Sequence, residues 1–151
     1  MCVLGSSNKT PNFVEKLKGR LLDSGIELFE TNTPDGNTPV IVICNMATRL
    51  KSDINQAMEL VKPIPQGRVI LVALHLKREE HLPETDIRGR LTNKTDFKDI
   101  GEMVDIGFDQ NDIYDCAKNN SSIKKITKFV TDFKPPDIDR PNEKYDTEEE
   151  E

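Results

Sequence analysis

The sequence predicts an α/β protein: a mostly parallel sheet of about five strands between two helical layers. Three observations carry that expectation. Residues 39–44 and 68–74, the second opening on Arg68, hold continuous runs of apolar, largely β-branched residues, the mark of strands buried on both faces. Between and around them lie stretches with apolar residues at helical spacing. The two kinds of segment alternate, which implies parallel strands joined by covering helices.

The elements follow in order. Residues 1–4 form a short apolar run ending at Gly5, a first strand. Residues 5–11 are turn chemistry, with Thr10 as cap and Pro11 in the first turn of a helix. Phe13, Val14, Leu17, Leu21 and Leu22 then recur at helical spacing, and Ser24-Gly25 closes the helix. Residues 26–30 alternate as a second strand. Residues 31–39 hold two prolines and an Asp-Gly pair, so they are loop. The run 39–44 is the third strand. A helix after Asn45 turns Ile54, Ala57, Met58 and Val61 inward, has Thr48 or Ser52 near its start, and stops before Pro63. The turn at 65–67 leads into the fourth strand, 68–74.

Residues 75–101 are polar and unpatterned, long for a loop, and therefore functional or occupied by short helices. A fifth strand is expected at 103–108. Asn120 or Ser121 caps a last helix, with Ile123, Ile126, Val130 and Phe133 on one side and Pro135-Pro136 at its end. The expected organisation is one domain over 1–134 and a disordered acidic tail over 135–151.

The strand order expected for this pattern is flavodoxin-like, 2-1-3-4-5, in a doubly wound three-layer α/β/α sandwich with right-handed crossovers. The second connection is short for a parallel crossover. Eight extended residues span roughly 26 Å, enough to run back along a short strand without a helix. Either one helical layer is thin, or the second strand lies antiparallel at the edge.

Charge and cysteine content bound the function. The segment 137–151 holds eight acids against Arg140 and Lys144, which accounts for the whole formal charge of −6; the body is neutral. Nucleic acid needs clustered Lys and Arg, and anionic membrane surfaces need the same, so neither is an expected partner. Three cysteines without paired spacing make no disulfide framework. The N-terminus has no signal-peptide pattern and no run has the length of a membrane span, so a cytoplasmic protein is expected.

In this fold class ligands bind beyond the carboxyl ends of strands. That rule selects three places. Ser6, Ser7 and Asn8 join the first strand to a helix N-terminus and offer N–H and hydroxyl groups to a phosphate, although the segment is neither GxGxxG nor a Walker A loop. Ser52 and Asp53 follow the third strand, where a ribose or base would lie. Glu59, seven residues after Ser52, shares its helix face and has the chemistry to stabilise an oxocarbenium-like state. His75 ends the fourth strand as a candidate acid or base. The plainer readings are a Ser/Asn turn, a capped helix with a solvent-facing Glu, and a histidine that hydrogen-bonds its own loop. Two histidines with no nearby Cys give no zinc pattern, so no metal is expected; a nucleotide is the cofactor class to consider. FMN is disfavoured, because the first loop lacks the Thr-Gly-Asn-Thr pattern and no Trp or Tyr is placed to stack a flavin.

The residues Val40-Ile41-Val42-Ile43-Cys44-Asn45, continued by Lys51-Ser52-Asp53-Ile54-Asn55-Gln56-Ala57-Met58-Glu59-Leu60 and Val69-Ile70-Leu71-Val72-Ala73-Leu74-His75, resemble small Rossmann-like α/β modules of fish and amphibian proteins of unknown function. The order also distantly resembles Toll/interleukin-receptor (TIR) domains over roughly residues 1–133. That resemblance implies a TIR-like sheet. It also implies, at Glu59, the position of a glutamate that cleaves NAD in some members. Thr33-Pro34-Asp35-Gly36 departs from the Arg-Asp and Pro-Gly signature of TIR partner-binding loops. Two functions are therefore expected in competition. One is an interaction or signalling module with a protein partner and no clear catalytic motif. The other is a nucleotide-binding or NAD-cleaving enzyme working at the carboxyl ends of strands 1, 3 and 4.

Overall fold

Alternation of buried strands and amphipathic helices does produce a mixed α/β structure around a parallel sheet. The computed structural model describes residues 2–4, 11–30, 38–45, 49–59, 61–62, 64–85, 87–91, 97–109 and 112–133. The loop 5–10, the connection 31–37, Thr48, Pro135-Pro136 and the acidic tail lie outside the described residues.

The elements are β1 (Cys2–Leu4), α1 (Pro11–Asp23), β2 (Leu28–Glu30), β3 (Val40–Asn45), α2 (Leu50–Glu59), β4 (Val69–His75), α3 (Ile87–Arg90), β5 (Glu102–Gly107) and α4 (Ala117–Asp132). The strands hydrogen-bond in the order β2-β1-β3-β4-β5, with every pairing parallel. β3 and β4 pair over their full lengths, from Val40↔Val69 to Asn45↔Leu74. β2 runs parallel to β1 and not antiparallel at the edge.

Side-chain alternation divides the interior into two cores. On one face, Ile41, Ile43, Ile70, Val72, Leu74, Val104 and Ile106 meet Phe13, Leu17 and Leu21 of α1 and Ile123, Ile126 and Val130 of α4. On the other, Val40, Val42, Cys44, Val69, Leu71, Ala73 and Met103 meet Ile54 and Ala57 of α2 and Ile87 of α3. From β1 the chain winds outward one way through α1, and from β3 the other way through α2 and α3. A single crossover hand puts those helices on opposite faces, as the two cores require. The second layer is the thinner one, since α3 has four residues.

Local chemistry sets the ends of α1. Pro11 opens it, where a missing N–H costs nothing. At its end Gly25 takes φ +86°, and Ile26 N–H donates to Leu21 C=O while Gly25 N–H donates to Leu22 C=O. That pair of bonds is the glycine-closed helix end, with Leu21 and Ile26 buried against it. Leu22, expected on the apolar face, is 61% exposed: it falls one residue past the inward stripe of Phe13, Val14, Leu17 and Leu21.

One further expectation is corrected. The last helix starts at Ala117, capped not by Asn120 or Ser121 but by Cys116, whose Sγ accepts from Asn119 N–H at 3.4 Å. Asn120 and Ser121 sit in its first turns. The 75–101 excursion holds short helices, one of the two alternatives expected of it: a 3₁₀ turn at Glu79–His81 and α3. Among the described residues no helix is long and apolar enough to cross a membrane.

Candidate functional site

β4 carries seven buried residues, and the last, His75, is polar. It lies at the carboxyl end of the sheet and is 5% exposed. A buried imidazole needs a partner, and β5 supplies it. His75 Nε2 is 2.8 Å from Asp105 Oδ1, and Asp105 is 3% exposed. The same oxygen accepts from Arg90 Nη2 at 2.9 Å, and Arg90 Nη1 donates to Thr85 C=O. Arg88, on the same short helix, donates to the carbonyls of Phe97 and Ile100. The two arginines thus tie the excursion to β5: Arg90 joins Thr85 to Asp105, and Arg88 holds the turn just before the strand.

Burial alone pushes the Asp105 carboxyl up and is the largest single effect. The hydrogen bonds from His75 and Arg90, with the guanidinium charge, outweigh it and hold the group below its ordinary 3.8. Asp105 is therefore an anion at neutral pH and fixes His75 Nε2 as the donor.

The register puts Cys44, Ala73 and Asp105 in one row across the sheet. Strand spacing makes Cys44 and Asp105 about 10 Å apart at Cα. Asp53, buried in the first turn of α2, lies near Cys44. Cys, His and Asp on one face suggest a thiol nucleophile, but the thiol state argues against it. Burial, with the Asp53 charge added, pushes Cys44 up to about 12. A thiol held this high offers almost no thiolate at neutral pH and is a poor nucleophile. Among the described residues no group of three or more His, Cys, Asp or Glu side chains is placed to hold a metal ion.

The remaining candidates do not converge. Ser52 is exposed on α2, one residue from the buried Asp53. Glu59 is exposed at the last position of α2. Because α2 starts beyond the carboxyl end of β3 and runs back towards the start of β4, its ten residues carry Glu59 about 14 Å from Leu50, to the opposite end of the sheet from His75. Ser52 and Glu59 lie on one helix, but Glu59 and His75 do not meet. Ser6, Ser7 and Asn8 lie outside the described residues.

Sequence reasoning missed Asp105, Arg90 and Asn119. Asn119 is wholly buried and clasps the outer edge of β5: its Oδ1 accepts from Gly107 N–H at 2.7 Å and its Nδ2 donates to Gly107 C=O at 3.0 Å. Ser122 Oγ donates to Asp105 C=O beside it. α4 thus closes an edge that would otherwise offer unpaired backbone. The one signal in the sequence was an Asp inside the apolar run of β5.

Cavities open along α4. One of about 260 Å³ is lined by Glu102, Lys125, Lys128, Phe129, Asp132 and Phe133. Another of about 350 Å³ lies between Met103, Val104 and Asp105 of β5 and Lys118, Ser121 and Lys125 of α4. Compared with known proteins, the chain matches no family model and no curated protein.

Proposed function

We propose that this chain is a cytoplasmic interaction or signalling module on a doubly wound, three-layer scaffold of flavodoxin-like or TIR-like type, with a protein as its partner. One observation carries the reading. His75, the best-placed acid or base at the strand ends, is consumed by Asp105 and Arg90 in a buried network that ties the 76–101 excursion to the sheet. A histidine spent this way supports a scaffold and not a catalytic cleft. The β2-β1-β3-β4-β5 order and the split of helices between two faces support the finer fold reading.

The alternative is a nucleotide-binding or NAD-cleaving enzyme using the carboxyl ends of β1, β3 and β4. What favours it is topology: the order reverses between β1 and β3, where such sheets take ligands, and Ser52 and Asp53 follow β3. The placement of Glu59 at the far end of α2 speaks against it as the residue that cleaves NAD.

The two readings separate in one pair of experiments. A thermal-shift panel of nucleotides, NAD and flavins is expected to be flat for the wild type, and NAD is expected to be left intact equally by wild type and Glu59→Gln. A ligand at 100 times its Kd adds about 2.7 kcal/mol. A rise of several degrees that Ser52→Ala or Asp53→Asn abolishes would establish the enzyme reading. Affinity capture from cell extract, with and without residues 137–151, is expected to yield a stable protein partner. Its failure with both baits would remove the interaction reading.

A further inference from the structure

We propose that the outer edge of β5, where it faces α4, takes an extended segment of a partner protein as a sixth, parallel strand. This rests on the protein-partner reading above and gives that partner a form and a place.

β5 ends the sheet, so one side of it has no neighbouring strand. In a parallel strand, alternate residues turn both backbone groups to the same side. Gly107 shows which residues turn outward, since its N–H and its C=O both bond to Asn119. Met103 and Asp105 therefore turn outward too. Of their four groups, two are engaged within the chain. Glu102 Oε1 accepts from Met103 N–H at 3.1 Å, and Ser122 Oγ donates to Asp105 C=O. Among the described residues nothing pairs with the other two, Met103 C=O and Asp105 N–H. These are the two groups that one residue of an added parallel strand uses. Its N–H donates to Met103 C=O, its C=O accepts from Asp105 N–H, and it lies opposite Val104. An antiparallel strand would need both groups of a single residue, and Met103 and Asp105 each have one engaged.

The space beside this edge is open. The cavity of about 350 Å³ has Met103, Val104 and Asp105 on one side and Ser121 and Lys125 on the other. The Asp105 carboxylate is bonded to His75 and Arg90 on the opposite face of the sheet, so Asp105 presents backbone here. The cavity of about 260 Å³ continues the groove past Glu102 to Phe129 and Phe133, and Lys125 lines both. Lysines and acids are mixed along it, so charge does not choose the partner. Apolar contact does. Side chains alternate along a strand, so the residue opposite Val104 and the one two places before it, opposite Glu102, both face α4. The earlier one meets the rings of Phe129 and Phe133, which lie 6.1 Å apart, and is aromatic or aliphatic. In strand addition the main-chain bonds give affinity and such a pocket gives selectivity.

A phage-displayed library of random dodecamer peptides, panned against the full chain, tests this. The selected peptide is synthesised and titrated into ¹⁵N-labelled protein. Saturating peptide is expected to slow hydrogen exchange of the Asp105 amide about tenfold or more and to leave Gly107, already held by Asn119, unchanged. N-methylation two places after the apolar residue removes the donor to Met103 C=O. It should weaken binding about tenfold, the worth of one hydrogen bond. N-methylation of the following residue, whose N–H turns away from β5, should not. Ser121→Trp, at an exposed position that lines the groove, should abolish binding. The amide readout needs no variant and decides the matter if Ser121→Trp misfolds. A library that yields no peptide, an Asp105 amide indifferent to the peptide, or binding that survives in folded Ser121→Trp would each overturn the proposal. So would self-association of the free chain that Ser121→Trp abolishes, since a second copy would then hold the edge. Capture of a cellular partner equally by wild type and Ser121→Trp would overturn this edge as the surface while leaving the partner reading intact.

Discussion

Asp105 is the residue on which the described carboxyl end turns. It is a buried anion with two partners from two other elements, so its loss leaves both His75 and Arg90 short of an acceptor. Removing one member of such a pair costs about 3–5 kcal/mol, and Asp105→Asn is expected to lower stability by the smaller end of that range, read as a fall in urea midpoint at unchanged slope. The pH response has a fixed sign. The folded carboxyl titrates below its ordinary 3.8, so its contribution is complete above that value and is lost as pH falls through the lower folded one. Wild type should therefore lose stability below about pH 4 more steeply than Asp105→Asn. Parallel acid curves for the two proteins would show that the carboxylate is not held as described. Gly107 gives a second prediction at this scale. A Cβ there would clash with Tyr114 Oη. Gly107→Ala is expected to cost about 1–3 kcal/mol through overpacking. In a Tyr114→Ala background most of that penalty should vanish, measured as a double-mutant cycle.

At the scale of elements, legibility followed periodicity. β3 and β4 were readable because burial on both faces demands unbroken apolar runs. α1 was readable because its stripe, its Pro and its Gly agree. The start of α4 was misread because sulfur is an uncommon capping acceptor, and Cys116 stands where Ser or Asp would have announced the helix. The candidate site was less legible than the fold. His75 was visible at the end of a strand, but Asp105 and Arg90 reach it only through the β4–β5 register and the path of a segment without pattern. Glu59 was placed on the right helix, yet its direction of travel, and so its distance from His75, follows from packing. Asn119 carries a prediction here. It substitutes for the missing neighbour of β5, satisfying a donor and an acceptor at once. Asn119→Ala leaves both unpaired, at about 1–3 kcal/mol for each group. It also opens a sheet edge, so light scattering should report association at concentrations where wild type stays dispersed.

For the molecule as a whole, charge is divided by segment and not spread. The formal charge of −6 belongs to residues 137–151, and residues 1–136 balance. A protein near zero net charge at working pH associates and precipitates more readily. A chain ending at 136 is therefore expected to focus near neutrality, well above the sequence value of about 5.0, and to be less soluble at pH 7 than the full chain. Isoelectric focusing and a precipitation titration check both, and unchanged solubility would assign the full chain's solubility to its surface and not to the tail.

β1 is three residues long and lies inside the sheet, between β2 and β3. It precedes both its neighbours in the chain, and its second flank stays open until β3 has followed it. β2 meets the other strands through it alone. The outermost strand on this side is thus joined by a keystone set before the arch is built, and a bulky group placed just ahead of Cys2 would press on that stone.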